Sequence, residues 1–65
     1  MEEYKISLAA ARVNANMTQS DVAEKMGVAK QTVVNWEKAK VTPKPAQFEM
    51  MCRLYNVPKN MVRVK

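Results

Sequence analysis

Apolar residues recur along this chain at three- and four-residue spacing, which places their side chains on one face of a helix. Over Ser7–Ala15, Leu8 and Ala11 share such a face with Arg12. Asn16 follows, and asparagine tolerates the left-handed conformation in which helices often end. The pattern therefore predicts a first helix that stops at Asn16.

Two further helices are predicted on either side of Gly27. The start of a helix over about 18–26 is marked by Thr18, which can cap it, and by Asp21, which can complete a weak capping box. The apolar stripe of this helix consists of Val22, Ala23 and Met26. A helix over about 29–38 follows after a very short connection, which suits two helices that meet at a steep angle.

The third predicted helix has two faces of different chemistry. A period of 3.6 residues directs Val33 and Trp36 toward the core, with Val28 just ahead of them. The opposite, solvent-facing side carries Lys30, Gln31, Val34 and Asn35. Because this second face is rich in hydrogen-bonding groups, we expect it to contact a partner outside the chain.

A fourth helix is predicted behind the loop "VTPKPA", with Pro45 in its first turn and Asn56 at its end. Its buried face is formed by Phe48, Met51, Cys52 and Tyr55. Pro58 is expected to open a last short helix that carries Met61 and Val62, with the tail "VRVK" fraying. Only one glycine is present and no apolar-polar alternation occurs between turn signals, which argues against strands.

These elements predict an all-α fold, a compact bundle of four to five short helices that forms a single domain over residues 1–65. The net charge of +5 and the pI near 9.7 fit a polyanionic partner such as nucleic acid. No apolar run reaches the roughly 20 residues of a membrane span, and the start "MEEYK" lacks the features of a signal peptide. A cytoplasmic protein is therefore expected.

The inventory of reactive side chains narrows the possible functions. The chain has no histidine, and Cys52 is its single cysteine. Internal disulfides, zinc sites built from several Cys or His ligands, and Ser-His or Cys-His nucleophilic arrangements are thereby excluded. We expect no catalysis, no metal or cofactor, and no small-molecule ligand.

The stretch "MTQSDVAEKMGVAKQTVVNWEKAK" resembles the phage Cro and repressor-like (XRE-type) helix-turn-helix family. The matching features are the glutamine that begins the second helix, an alanine inside it, the turn glycine and an aromatic-Glu pair that ends the third helix: Gln19, Ala23, Gly27, Trp36 and Glu37. The likeness extends roughly over Leu8–Val62. It implies a lambda-repressor-like domain whose third helix lies in the DNA major groove.

The resemblance also implies roles for individual residues. Base edges are expected to be read by Lys30, Gln31, Val34 and Asn35, whose chemistry independently suits guanine, adenine and the thymine methyl group. Phosphate contacts are expected from Gln19, Thr32, Lys38, Lys40 and Lys44. Arg12 and Glu37 match a partly buried ion pair between the first and third helices, with a structural role.

Three positions depart from the family pattern. Ala29 stands where the family has a Ser or Thr cap on the third helix, and loss of such a cap costs about 0.5 to 2 kcal/mol. Ala39 replaces a frequent glycine, so we expect either a strained left-handed alanine or a different route for the loop. Glu49 and Met50 invert the usual apolar-polar order, which leaves the phase of the fourth helix open.

The sequence thus predicts a transcriptional regulator, a repressor, in the bacterial cytoplasm or nucleoid or in a phage-infected host. Its partner would be a pseudo-palindromic double-stranded operator, bound by a homodimer that forms at least on DNA. The dimer contact is expected to use Val57, Pro58 and Met61. The alternative is a protein-interaction module, an antirepressor or antitoxin, that uses the same surface. We expect the chain to be complete, because it begins with Met1 and no linker follows the last predicted element.

Overall fold

The computed structural model of the protein describes residues 5–63. Its four α-helices are α1 (Leu8–Asn14), α2 (Gln19–Met26), α3 (Lys30–Glu37) and α4 (Pro45–Tyr55). A single 3₁₀ turn over Lys59–Met61 follows α4. The all-α fold class is confirmed. None of the helices in the described part of the chain has the length and apolar content that a bilayer crossing requires.

At the start of three of the four helices, a backbone N–H donates a hydrogen bond to a capping side chain or to a side chain of the first turn. At α1, the Ala10 N–H donates to the Ser7 hydroxyl at 3.1 Å. The capping box of α2 is complete, because the Asp21 N–H donates to Thr18 Oγ1 at 3.0 Å and the Thr18 N–H donates to Asp21 Oδ2 at 2.9 Å. The hydrogen bond from the Thr18 N–H, followed by that with the Thr18 side chain, holds the pKa of the Asp21 carboxyl below its usual value.

The starts of α3 and α4 differ. α4 has Pro45 in its first turn, where the missing N–H removes no helical hydrogen bond, and the Lys44 N–H donates to Gln47 Oε1 at 2.9 Å. α3 begins after Ala29, which provides no side-chain hydrogen bond. The predicted loss of the α3 cap is therefore confirmed.

All four helices end in the same motif, with a left-handed residue directly after the last turn. These residues are Asn16 (φ 60°), Gly27 (φ 69°), Ala39 (φ 60°) and Asn56 (φ 58°). In each case the next N–H donates back to a carbonyl of the last turn, at distances of 2.9 to 3.2 Å. Of the two routes considered for Ala39, the structure takes the strained left-handed one.

The core lies where the four helices meet, and its members come from the predicted apolar faces. The buried hydrophobic residues of the core are Leu8, Ala11, Val22, Ala23, Val33, Trp36, Met51, Cys52, Tyr55 and Val62. Cys52 is a buried free thiol, as predicted. Met50 and Met61 are instead exposed, so in α4 the core position belongs to Met51 and Met50 faces outward.

The prediction that the chain contains no strands is wrong in one detail. Ile6–Ser7 (β1) and Val62–Arg63 (β2) form a two-stranded parallel pair, with Ile6 opposite Val62. Val62 therefore does not belong to the last helix, where the sequence placed it. Strands of two residues are too short to show the alternating pattern that identifies strands in a sequence. Their pairing depends on where α1 and α4 bring the two segments.

Candidate nucleic-acid interface

The connection between α2 and α3 is short and sharply turned. Gly27 takes the left-handed conformation, and the Val28 N–H donates to the Ala23 carbonyl at 3.0 Å. An added Cβ at Gly27 would meet no atom within 4 Å, so the backbone angle alone favours glycine here. Val28 and Ala29 complete the turn, after which α3 begins at Lys30. The sequence therefore builds a helix, a glycine turn and a second helix at a fixed angle.

α3 has one face in the core and one face in solvent. Val33 and Trp36 are 1% and 2% exposed, and they pack in the core as the periodicity predicts. On the other side, Lys30 and Gln31 are exposed, whereas Val34 and Asn35 are half-buried. The structure thus brings these four residues, predicted as base-reading, to one accessible surface, which we call the α3 face.

Two amides of the α3 face are hydrogen-bonded to each other. Gln31 Nε2 donates to Asn35 Oδ1 at 3.1 Å, across one helical turn. This bond occupies one of the two N–H groups of Gln31 and one lone pair of Asn35. The second N–H and the carbonyl of Gln31 remain available, as does the NH₂ group of Asn35. The pair therefore offers both donors and acceptors to a partner.

The exposed charged side chains of α3 and of the segment that follows it have one sign. Over residues 28–48 the exposed charged side chains are those of Lys30, Lys38, Lys40 and Lys44. The single carboxylate in this range, that of Glu37, is 7% exposed and lies in an ion pair. Lys38 caps the end of α3, Lys40 follows the left-handed Ala39, and Lys44 precedes α4. The exposed side chains of this segment therefore favour an anionic partner.

The predicted pair of Arg12 and Glu37 is present, and it belongs to a larger network. Arg12 Nε lies 2.7 Å from Glu37 Oε2, and Arg12 Nη2 donates to Glu37 Oε1 at 3.4 Å. Arg12 Nη1 donates to the Met17 carbonyl at 2.8 Å. Gln19 Nε2 donates to Glu37 Oε1 at 3.0 Å. One carboxylate at the end of α3 thus joins α1 to the first residue of α2.

The bond between Gln19 and Glu37 was not expected from the sequence. Both residues match positions of the family pattern, but they are 18 residues apart and lie in different helices, so no helical or strand periodicity relates them. The contact depends on the angle at which α2 crosses α3. Tyr55 lies near this network: burial, together with the charge of Glu37, raises the pKa of its phenol to about 12. Its hydroxyl is buried with no hydrogen-bond partner among the described residues.

The remaining predicted residues lie apart from the α3 face or at its edge. Thr32 is half-buried, and its N–H donates to the Ala29 carbonyl at 2.9 Å in the first turn of α3. Of the predicted dimer residues, Val57 is half-buried against the core, whereas Pro58 and Met61 are exposed. The structure therefore leaves two of the three dimer residues accessible.

Met50 forms an exposed apolar position that the sequence did not assign to a site. It lines a shallow depression on α4 together with Ala46, Glu49 and Arg53. The Arg53 guanidinium lies 3.1 Å from the Glu49 carboxylate, and Lys59 Nζ lies 3.9 Å from the same carboxylate. Exposed pairs of this kind contribute little to stability.

Comparison with known proteins agrees with this geometry. A family model described as helix-turn-helix matches residues 8–60, which include all four helices. Searches among curated proteins and among solved structures found no match to the chain.

Proposed function

Because the chain belongs to the XRE-type helix-turn-helix family of DNA-binding regulators, we propose that it represses transcription by binding an operator with α3 in the major groove. The observation that carries this proposal is the two-sided burial of α3. Its apolar side is anchored by Val33 and Trp36, while its amide and ammonium groups point to solvent. The proposed partner places the protein in the bacterial cytoplasm or nucleoid, or in a phage-infected host.

Each residue of the α3 face has a matching base edge. The Lys30 ammonium can donate to O6 and N7 of guanine, and Gln31 can bond N6 and N7 of adenine while it remains bonded to Asn35. Asn35 presents its NH₂ group to a second base, and Val34 can contact a thymine methyl group. We propose that these four residues supply the sequence preference.

Affinity would come from phosphate contacts around this face. The proposed donors are Gln19, Thr32, Lys38, Lys40 and Lys44. The exposure of the three lysines of this set, with no exposed carboxylate over residues 28–48, supports their assignment. Such contacts fix the register of the protein on the duplex and carry no base information.

One recognition helix spans only a few base pairs, so we propose that two copies bind one pseudo-palindromic operator, with half-sites about one helical turn apart. The proposed contact between copies involves Val57, Pro58 and Met61. The exposure of Met61, at 37%, is consistent with this role. A symmetric contact of this kind places the same surface of both copies against each other.

Selection of bound sites from random duplexes tests the proposal. Enrichment of a two-fold related motif is expected, and its half-site spacing reports the geometry of the dimer. On the selected duplex, Gln31→Ala should change the preference at one position by about 1 to 3 kcal/mol. Lys40→Ala should weaken all sequences alike. Lys25→Ala, which removes the same charge from the last turn of α2, is the matched control.

Salt dependence separates this function from binding of a protein partner. A repressor that neutralises phosphates should lose affinity with rising salt, with a log-log slope of about −0.9 per phosphate contacted. An apolar protein-protein contact would respond little. If no duplex is enriched, or if Gln31→Ala leaves the preference unchanged, α3 does not read bases as proposed.

A further inference from the structure

We propose that Glu37 is a positioning residue for the phosphate contact of Gln19, because its carboxylate dictates which end of the Gln19 amide faces outward. This inference rests on the proposed function, in which Gln19 contacts the DNA backbone. Glu37 itself is 7% exposed and cannot reach a partner outside the protein. Apart from the long-range effect of its charge, it would act on DNA binding through Gln19.

The contact between the two side chains has only one possible polarity. An ionised carboxylate accepts hydrogen bonds and donates none. Glu37 Oε1, at 3.0 Å from the Gln19 side chain, must therefore receive an N–H from Nε2. The amide nitrogen has two hydrogens, so one N–H group remains after this bond is made. Gln19 thus keeps a donor for a second acceptor.

A DNA phosphate has the same requirement as the carboxylate, since its oxygens also accept hydrogen bonds. A glutamine that turned its carbonyl toward a phosphate would place two acceptors against each other. A free glutamine side chain can present either end of its amide. Glu37 removes this choice, so Gln19 stands between two anionic acceptors with one N–H directed to each.

The orientation of Glu37 is itself fixed. Arg12 holds both carboxylate oxygens, at 2.7 and 3.4 Å, and anchors its own guanidinium on the Met17 carbonyl at 2.8 Å. The positive charge of Arg12 also compensates the carboxylate, which would otherwise repel a phosphate nearby. Gln19 is the first residue of α2, and Glu37 is the last residue of α3. The end of α3 therefore orients the side-chain amide at the start of α2.

Glu37→Gln tests the proposal, because charge and positioning predict opposite results. Removal of a negative charge near DNA, considered alone, should strengthen binding. Loss of positioning should weaken it, because an amide can donate as well as accept and no longer orients Gln19. We expect about three- to tenfold weaker binding to the selected duplex, and about tenfold weaker binding for Gln19→Ala. Glu24→Gln, on the exposed side of α2, is the matched control for charge.

The double variant isolates the coupling between the two residues. In the Gln19→Ala background, Glu37→Gln should no longer weaken binding, because no amide remains to be oriented, and only the effect of the removed charge, gauged by Glu24→Gln, should be left. Denaturant unfolding of each variant shows whether it is folded under the binding conditions. An equal loss from Glu37→Gln in both backgrounds, or a gain in affinity equal to that of Glu24→Gln where Gln19 is present, would overturn the proposal.

A measurement on the unaltered protein covers the case in which Glu37→Gln does not fold. The two Nε2 hydrogens of Gln19 give separate signals in a ¹⁵N–¹H spectrum. Both signals share the ¹⁵N frequency of Nε2, so the two ¹H shifts are compared. On addition of the selected duplex, the ¹H shift of one hydrogen should change strongly while that of the other, bonded to Glu37, stays in place. If both ¹H shifts change, or neither does, the proposal is wrong. If the unaltered protein binds no duplex at all, the proposed function fails and this inference fails with it.

Discussion

Ala39→Gly should stabilise the protein, because Ala39 is the one helix-ending residue with a poor conformational fit. The other three helices end in Asn or Gly, which adopt the left-handed region readily. Ala39 has a φ of 60° and is exposed, so its methyl group adds little burial in return. The end of α3 is closed by the N–H groups of Ala39 and Lys40, in the same pattern as at the ends of the other three helices. The end of α3 differs from those ends only in the backbone strain at its left-handed residue.

The magnitude follows from two opposing terms. The left-handed conformation costs a non-glycine residue about 1 to 2 kcal/mol. Glycine costs about 0.5 to 1 kcal/mol in additional chain entropy. The difference predicts that Ala39→Gly raises the free energy of unfolding by up to about 1.5 kcal/mol, with a central value of about 0.8 kcal/mol. In a domain of this size, 1 kcal/mol corresponds to a rise in Tm of about 4 to 8 °C.

The reverse substitution at the end of α2 provides the control. Gly27→Ala introduces a Cβ that meets no atom within 4 Å, so its cost is conformational and should be of the same size with the opposite sign. Urea unfolding, followed by Trp36 fluorescence, measures both variants, and the slope with denaturant should stay unchanged. The reasoning is refuted if Ala39→Gly lowers the midpoint, or if both variants shift it in the same direction.

Four further outcomes are expected. Ala29→Ser should supply the missing cap of α3 and stabilise the protein by about 0.5 to 2 kcal/mol, measured by urea unfolding; no change would mean that the added hydroxyl does not reach the helix N–H groups. Tyr55→Phe should stabilise it by about 1 kcal/mol at neutral pH, because the buried hydroxyl has no partner among the described residues. Since the phenol pKa is raised from 10.0 to about 12 in the folded state, stability should fall as the pH rises through this window, and Tyr55→Phe should lack that part of the loss. The buried Cys52 thiol, whose pKa is raised by burial, should react with alkylating reagents only as fast as the protein opens, and immediate labelling at low denaturant would contradict its position in the core.

The helices could be predicted from the sequence because their signals are local. Apolar spacing identified the buried face of α3, and residues with left-handed preference marked the ends of α1, α2 and α4 at Asn16, Gly27 and Asn56. Alanine carries no such signal, so the end of α3 at Ala39 stayed open between two routes. In the structure Ala39 adopts the strained left-handed conformation, and the hydrogen bonds that close α3 are preserved.

What the sequence could not predict are contacts set by helix crossing. The pairing of Ile6 with Val62 brings together the two sides of the bundle, and no periodicity in either segment indicates it. The bond from Gln19 to Glu37 likewise requires the angle between α2 and α3. The local role of each of these residues can be predicted from its neighbours in the sequence. The residue with which it pairs depends on how the helices pack in the complete bundle.

The pairing of β1 with β2 also decides where attached sequences emerge. Because Ile6 and Val62 are direct neighbours in a parallel pair, segments joined ahead of residue 5 and behind residue 63 would leave from opposite ends of a pair that is only two residues long. Two fluorophores carried on such segments would sit close together while the bundle is intact and separate as it melts. Energy transfer between the two fluorophores would therefore report the unfolding of the domain without any substitution in α3.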